Sequence, residues 1–410
     1  MVRVAALDMA HSERRTAVVV GPLAIPSRTE LIDRYAALAR RGPLTRLCLE
    51  PSVQTNRWRT VPIDPTQVIS SVEDTTPAAP LTDVLRHVRA QRTDDVSDGI
   101  RIACVGDRLV IDFCHGLGEV AFVHLVLDVL LGVVDPADPA LLERYERCKA
   151  PLLHAGLRTF GRNVRRLPAV LGDYRRRTPP AARAAASGGG EPFHPSPATR
   201  FIGIPADAVT ELRRRRDVAL PGVSLVTLCT HALWAGFFDS GLAVDHTVKI
   251  PFDVRRYLAP DTSTLGPFTA GLDFTIGPGG PARLQADIDR DARNGRPVAN
   301  IVLGTLKARH RRTPSAAQHP GHPRVQLLHS NVGTPEHADQ WPFTDLRAAH
   351  MLVASDPVGP EGVTVTSSSI AGNLWLTAEF HGNVFDAGQI ETALAGVVDR
   401  MMGYLPLTHR

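Results

Sequence analysis

Residues 108–131 constrain the fold of this 410-residue chain more than any other segment. The turn sequence Gly106-Asp107-Arg108 is followed by an apolar run of strand-forming residues, 109–114, which ends at His115. Residues 120–131 are apolar almost all round, so the helix that they predict must be buried between other layers. A histidine between a strand and a buried helix is held rigidly and can face a cleft, as a general base requires.

The length of the chain and its pattern of elements predict two domains. A chain of 410 residues exceeds what one hydrophobic core usually supports, and both halves mix helix and strand signals. Residues 178–198, centred on Ser187-Gly-Gly-Gly190, have the composition of a linker. We therefore expect an α/β protein with domains at 1–178 and 199–410, joined by a linker over 179–198.

Composition excludes several classes of function. The net charge of +4 is small, and 46 basic residues are dispersed among 42 acidic ones, which does not favour nucleic-acid binding. Five widely spaced cysteines without a Cys-x-x-Cys pair argue against zinc or a disulfide framework and favour the cytoplasm. The charged N-terminus is not a secretory signal, and the longest apolar run is too short to span a membrane.

His115 and Glu119 can be interpreted in several ways from the residues alone. Side chains four residues apart on a helix project together, so the two could bind a metal. No third ligand with sensible spacing lies nearby, so we do not expect a metal. These residues alone are compatible with two roles for His115: a catalytic residue, or a residue that only ends a strand.

Residues 111–120 resemble the His-His-x-x-x-Asp-Gly motif of the condensation-domain and chloramphenicol-acetyltransferase-like acyltransferase superfamily. Cys114 replaces the first histidine of the motif, and His115 stands at the second, catalytic position. Further segments resemble that family in order along nearly the whole chain: residues 43–46, 250–255, 265–268, 330–333 and 373–385. The chain is therefore identified as a stand-alone acyltransferase of this HxxxD type with a degenerate motif.

The resemblance implies a fold and a reaction. Two chloramphenicol-acetyltransferase-like lobes, each an α+β sandwich, would form a pseudo-dimer around a central tunnel. A thioester donor, either acyl-CoA or an acyl group on a phosphopantetheinyl carrier protein, would enter from one face and a small-molecule acceptor from the other. His115 would act as general base on a hydroxyl or amine of a natural product or lipid, forming an ester or an amide without a metal or redox cofactor.

The resemblance also implies roles for other residues at the site. Glu119 takes the position of the structural aspartate, and we expect it to pair with Arg255 across the lobe interface, with Arg256 as second choice. A buried carboxylate without a cation would be costly. The expected tunnel residues are Cys114, Gly116, Val120, Ser330, Asn331 and Gly333.

Departures from the motif keep two other functions open. Glu119 is longer than aspartate, and Val120 replaces a glycine that allows close approach to the backbone. The chain could be a catalytically degenerate binding or scaffold protein, or a condensation-fold enzyme that cyclises or dehydrates a tethered intermediate. We expect a bacterial monomer of natural-product biosynthesis, whose carrier-protein partner belongs to another chain because no carrier segment follows.

The segment 158–177 carries seven arginines among apolar residues. Such a charge run is typical of an exposed helix face. It could instead dock an acidic carrier protein or the phosphates of coenzyme A, since arginine recognises phosphate well.

Overall fold

A computed structural model describes residues 1–72, 80–92, 99–161, 163–166, 168, 170, 172, 191–309 and 317–405. It has two lobes, each a β-sheet covered by helices, which confirms the predicted two-lobed α/β architecture. Most of the predicted linker, residues 179–190, lies outside the described residues. The first strand of the second half begins at Pro197, just inside the segment expected to be linker.

In the N-terminal half, the described residues include seven strands and seven α-helices with defined bounds. The strands are β1 (Val2–Arg3), β2 (Arg15–Gly21), β3 (Leu49–Glu50), β4 (Arg57–Thr60), β5 (Ile69–Val72), β6 (Ile100–Val105) and β7 (Arg108–Cys114). The helices are α1 (Ala6–His11), α2 (Arg28–Arg40), α3 (Pro65–Val68), α4 (Leu81–Ala90), α5 (Val120–Leu130), α6 (Glu143–Glu146) and α7 (Pro151–Gly156).

The C-terminal half supplies seven strands and six helices among the described residues. The strands are β8 (Pro197–Ile204), β9 (Val244–Asp253), β10 (Thr269–Thr275), β11 (Val325–Gly333), β12 (His350–Ser355), β13 (Gly362–Ile370) and β14 (Asn373–His381). The helices are α8 (Ala206–Ala219), α9 (Leu225–Asp239), α10 (Gly280–Arg293), α11 (Arg296–Arg309), α12 (Ala387–Ala395) and α13 (Val397–Gly403).

The sheet of the N-terminal lobe contains one strand from the other half of the chain. Its order is β12-β2-β7-β6-β5, and β6 and β7 form the hairpin that the turn at Gly106 predicts. Strand β12 leaves the C-terminal half and pairs antiparallel with β2, from His350 opposite Gly21 to Ser355 opposite Thr16. The two halves are thus joined by backbone hydrogen bonds as well as by the covalent chain.

The C-terminal lobe has a six-stranded sheet of order β10-β9-β11-β13-β14-β8. A separate small sheet of order β1-β4-β3 lies in the N-terminal half. Helices α9, α12 and α13 cover the large sheet, and its strands alternate buried apolar residues with more exposed ones, as on β9 and β10. This lobe therefore has a hydrophobic core of its own.

Helix α5 is buried along most of its length, as its apolar sequence predicts. Phe122 and Leu127 are fully buried in the N-terminal core, and the buried carboxylate of Asp128 accepts hydrogen bonds from His337 Nδ1 (2.9 Å) and Trp341 Nε1 (2.8 Å). Pairing of this kind keeps a carboxylate tolerable inside a core. A segment of the C-terminal half thus anchors the helix that follows His115.

The structure also bears on the apolar helices and on the arginine-rich segment 158–177. Among the described helices, none is long and apolar enough to cross a membrane. In the arginine-rich segment, Arg158 and Arg165 are exposed, whereas Arg162 and Arg175 to Arg177 lie outside the described residues. Docking by this segment stays a prediction.

Candidate active site

His115 follows strand β7 directly and begins a short 3₁₀ turn, His115–Leu117. Its backbone N–H donates to the carbonyl of Arg14 (2.8 Å), and its Nδ1 lies 3.2 Å from Thr16 Oγ1. Thr16 Oγ1 is in turn 3.0 Å from Ser355 Oγ at the end of β12. The backbone of His115 is therefore held by Arg14, and its imidazole by Thr16 on β2, a strand that is itself paired with β12 from the other half.

The environment of the ring keeps it uncharged. Burial, followed by the positive charge of Arg14, lowers the pKa of His115 to about 3. The ring centroid of His11 lies 5.2 Å from that of His115, at an interplanar angle of 57°. A neutral imidazole whose Nδ1–H donates to Thr16 has its lone pair on Nε2, the arrangement that accepts a proton from a substrate.

The lowered pKa of His115 gives a testable pH dependence. A base with a pKa near 3 is deprotonated at pH 5 as fully as at pH 8, so kcat/KM is expected to stay flat between these values. A histidine with the ordinary pKa of about 6.5 would lose roughly 30-fold over the same range. A pH profile of kcat/KM with an acid limb centred near 6.5 would contradict this environment for His115.

Glu119 stands at the N-terminus of α5 but turns its carboxylate toward the C-terminal lobe. Its Oε2 accepts from Arg255 Nη1 (3.2 Å), the backbone N–H of Phe268 (3.0 Å) and Thr269 Oγ1 (2.6 Å). The side chains of Glu119 and Arg255 are only 9% and 11% exposed. The predicted Glu119–Arg255 ion pair is therefore present, and it connects the helix after His115 to β9 and β10.

Arg255 is held in one orientation by further acceptors. Its Nε donates to the carbonyl of Thr264 (2.8 Å), its Nη2 to the carbonyl of Gly266 (2.7 Å), and its Nη1 also contacts Asp253 (3.0 Å). Burial opposes the charge, but the carboxylates of Glu119 and Asp253 more than compensate and raise the pKa of Arg255. The guanidinium is thus a fixed cation between the lobes.

The turn after His115 is braced from the N-terminal side. Arg46 donates from Nη2 to the carbonyl of Gly116 (3.0 Å) and pairs with the buried Asp8 (2.8 Å). A Cβ on Gly116 would lie 2.2 Å from Ser12 Oγ and 2.5 Å from the carbonyl oxygen of Asp8. Only glycine therefore allows this close packing between the His115 turn and α1.

The other residues expected along a tunnel have different surroundings. Cys114 is 1% exposed, packs in the N-terminal core and donates from Sγ to the carbonyl of Ser12 (3.5 Å), so it has almost no surface to offer a substrate. Gly116 is buried, whereas Val120 is half-buried. A role for these three residues in a tunnel stays a prediction.

Ser330, Asn331 and Gly333 lie at the end of β11, beside β13. Ser367 Oγ donates to Asn331 Oδ1 (3.0 Å) and to the carbonyl of Ser330 (3.3 Å), and it lies 3.2 Å from Nε2 of the buried His329. Asn331 is exposed and Gly333 is half-buried. Within the described residues, no hydrogen bond or ion pair connects this segment to His115, and its place in a tunnel also stays a prediction.

Sequence reasoning missed the two hydroxyl groups beside His115. Thr16 directly precedes the apolar run 17–20, and Ser355 lies 240 positions beyond His115 in the chain. A hydroxyl residue at the end of a strand is too common to indicate a contact by itself. The antiparallel pairing of β12 with β2 brings Ser355 opposite Thr16.

Thr16→Val tests whether this hydroxyl orients the imidazole. Valine keeps the shape but removes the partner of Nδ1, and one lost hydrogen bond of about 1 kcal/mol corresponds to roughly a fivefold fall in kcat. KM is expected to change little, and Thr16→Ser should restore most of the rate. An unchanged kcat in Thr16→Val, or an equal loss in Thr16→Ser, would show that the hydroxyl does not position the ring.

A buried ionic network lies next to the site. The carboxylate of Asp112 on β7 is almost fully buried and pairs with Arg15 (2.8 Å) and Arg92 (2.6 Å), and Arg92 also pairs with Asp356 (2.9 Å) just beyond β12. These contacts tie β2, β7 and the C-terminal half together beside His115. Among the described residues, no group of three His, Cys, Asp or Glu side chains is arranged to hold a metal ion.

Comparison by sequence finds no matching family model and no matching curated protein. Comparison of structures finds solved structures that share the fold at low sequence identity. The TRI3 trichothecene 15-O-acetyltransferase from Fusarium sporotrichioides is 11% identical, with a TM-score of 0.59 over 98% of this chain and 95% of that one. VibH, a condensation enzyme of nonribosomal peptide synthesis, is 13% identical, with a TM-score of 0.57 over 95% and 90%.

A third solved structure with a similar fold is named for a different reaction. The epimerization domain of the third module of tyrocidine synthetase B is 11% identical, with a TM-score of 0.59 over 97% of this chain and 93% of that one. At such identities the similarity establishes the fold, and a shared fold does not by itself select a reaction. The chain shares its two-lobed fold with these acetyltransferase, condensation and epimerization structures, and this is the fold that the resemblance predicted.

Proposed function

We propose that this protein is an acyltransferase that moves an acyl group from a thioester to a hydroxyl or amine of a natural product or lipid. The observation that carries the proposal is the neutral imidazole of His115, oriented through Nδ1 by Thr16 at the position of the family's catalytic histidine. The donor is acyl-CoA or an acyl group on the phosphopantetheine arm of a carrier protein. The reaction uses no metal or redox cofactor.

In the proposed mechanism, Nε2 of His115 accepts the proton of the acceptor hydroxyl or amine as its oxygen or nitrogen attacks the thioester carbonyl. The tetrahedral intermediate then collapses, the carbon–sulfur bond breaks, and the imidazolium returns the proton to the leaving thiolate. The mechanism places the ring proton on Nδ1, where Thr16 Oγ1 lies 3.2 Å away and can accept it, so that Nε2 keeps the lone pair that takes the proton. Orientation of both substrates in a tunnel between the lobes supplies a further part of the rate.

Glu119 and Arg255 support this mechanism without taking part in proton transfer. Three donors occupy Glu119 Oε2, and they come from the C-terminal lobe. The carboxylate therefore holds α5, and the turn before it, against β9 and β10. Both residues are positioning residues in this proposal.

The proposed partners follow from the proposed donor. A carrier protein from another chain would present the thioester, and the acyltransferase would act as a cytoplasmic monomer. The positively charged segment that includes the exposed Arg158 and Arg165 is the surface we propose for an acidic carrier or for coenzyme A phosphates.

The assay that tests the function uses the purified chain with a panel of acyl-CoA and acyl-carrier thioesters and a panel of alcohols and amines. Mass spectrometry should detect an ester or amide product, together with stoichiometric release of free thiol. Omission of the acceptor should abolish product. Absence of product from every pair, with retained binding of an acyl thioester, would reject the enzyme and favour a binding protein.

One observation favours that second candidate, a degenerate binding or scaffold protein. Val120 stands where the motif has glycine, and its half-buried side chain occupies the start of α5 beside the His115 turn. In this alternative, Val120→Gly would create or increase acyl transfer. In the enzyme, the same substitution should change the choice of acyl chain while the native protein is already active.

A further inference from the structure

The hydroxyl of Thr16 lies between two groups that can each accept its proton. Its Oγ1 is 3.2 Å from Nδ1 of His115 and 3.0 Å from Oγ of Ser355. A hydroxyl has one proton to donate, although it can also accept, so Thr16 donates to only one of these two neighbours at a time. The three groups therefore form a chain from the imidazole through Thr16 to Ser355, and its hydrogen bonds run in one of two directions.

The direction of this chain decides which nitrogen of His115 carries the ring proton. If Thr16 donates to Ser355, its oxygen accepts from Nδ1–H, and Nε2 keeps its lone pair. If Thr16 donates to Nδ1 instead, the proton of the neutral imidazole must be on Nε2, and that nitrogen can no longer act as a base. The residue at position 355 thus influences Nε2 without touching the ring.

The backbone holds Ser355 and Thr16 side by side. The two residues are directly opposite each other in the antiparallel strands β12 and β2, so their side chains lie on the same face of the sheet. The adjacent residues fix this register: Asp356 Oδ2 accepts from the N–H of Arg15 (2.9 Å), and the carbonyl of Arg15 accepts from the N–H of Asp356 (3.1 Å). Moving Ser355 away from Thr16 would break these bonds.

Burial makes the direction of the chain sensitive to Ser355. Thr16 is only 3% exposed, whereas Ser355 is half-buried. A buried donor that loses its acceptor costs enough free energy to shift an equilibrium by about 10-fold or more. Without an acceptor at position 355, Nδ1 of His115 is the acceptor that remains for the Thr16 hydroxyl among the described residues. The Thr16 proton would then turn to the ring.

We propose that Ser355 is a positioning residue for His115: it accepts the proton of Thr16 and thereby keeps the ring proton on Nδ1. The effect on rate rests on the proposed acyl transfer, whereas the place of the ring proton does not. Ser355 belongs to the C-terminal half of the chain, so β12 contributes to the candidate active site as well as joining the two halves.

Ser355→Val and Ser355→Thr test this role as a matched pair, because valine and threonine have the same shape and differ in one hydroxyl group. With the thioester and acceptor that the panel identifies, Ser355→Thr should keep most of kcat. Ser355→Val should lower kcat by about 10-fold or more with little change in KM, and its methyl group fills the space that a water molecule would need. The control is Ser240→Ala, which removes another half-buried hydroxyl, a donor to the carbonyl of Gly236 (2.7 Å), and should change neither constant.

The double variant Thr16→Val with Ser355→Val separates this role from a loss of packing. In Ser355→Val the Thr16 hydroxyl holds the ring proton on the wrong nitrogen, so removing that hydroxyl should raise kcat again, to the level of Thr16→Val alone. A serine that only packs beside the site would give losses that add. A double variant no faster than Ser355→Val would therefore overturn the proposal.

NMR of protein labelled with ¹⁵N-histidine reports the place of the ring proton without turnover, and His115→Ala assigns the signals of this ring among the 16 histidines. The native protein and Ser355→Thr should show a protonated Nδ1 and an unprotonated Nε2, and Ser355→Val should show mainly the reverse. A protonated Nε2 in the native protein, or unchanged signals in Ser355→Val, would reject the role of Ser355. If the signals respond as expected but no thioester is turned over, the acyltransferase proposal alone fails.

Discussion

His115→Ala is expected to lower kcat for acyl transfer by about 10²- to 10⁴-fold, the usual contribution of a general base. The loss should fall on kcat with little change in KM, because the imidazole acts on the proton in the transition state. The alanine variant should keep its fold, since the ring makes one side-chain hydrogen bond, to Thr16. Steady-state kinetics on matched preparations, with circular dichroism to verify folding, measures the effect.

The control for this substitution is His322→Ala, which removes an exposed histidine from a loop. It should leave kcat and KM unchanged. Turnover within threefold of the native rate in His115→Ala would remove His115 as the base. The acyl transfer would then have to depend on binding and orientation alone.

Glu119→Ala is expected to destabilise the protein by about 3–5 kcal/mol, the cost of breaking a buried ion pair by removing one partner. The substitution would leave Arg255 without its buried carboxylate and would strip the Phe268 N–H and the Thr269 hydroxyl of their acceptor. Activity should fall as well, because the turn at His115 would no longer be held against β9 and β10. Urea denaturation and differential scanning calorimetry report the change in stability.

Two further variants make this prediction specific. Asp253→Asn removes the other carboxylate beside Arg255, but Asp253 is 60% exposed, so its loss should cost no more than about 1 kcal/mol. The double variant Glu119→Met with Arg255→Met should be less destabilised than the sum of the two single variants, because no buried charge is left uncompensated. A loss below 1 kcal/mol for Glu119→Ala would show that the pair does not hold the lobes together.

Local patterns in the sequence predicted the elements that carry the candidate site. The hairpin of β6 and β7 follows from the turn at Gly106, whose φ of +59° suits glycine. The burial of α5 follows from its nearly uniform apolar sequence. The position of His115 between the hairpin and α5 could therefore be predicted from the sequence. The Glu119–Arg255 pair was predicted from the family resemblance.

The contacts across the chain could not be predicted in the same way. Nothing in residues 350–355 indicates that they leave the C-terminal half and pair with β2, because a short apolar strand satisfies its hydrogen bonds equally well at several sheet edges. The orientation of the His115 ring by Thr16 depends on this region, as does the Arg92–Asp356 pair.

By itself, the sequence determined which residues form strands and helices, the presence of a rigidly held histidine between them, and the family whose fold the chain shares. Those features depend on periodicity and on neighbours within a few positions. Only the tertiary structure decided which groups surround that histidine and why its imidazole is neutral. Desolvation and hydrogen bonding depend on atoms that folding brings together from distant parts of the chain.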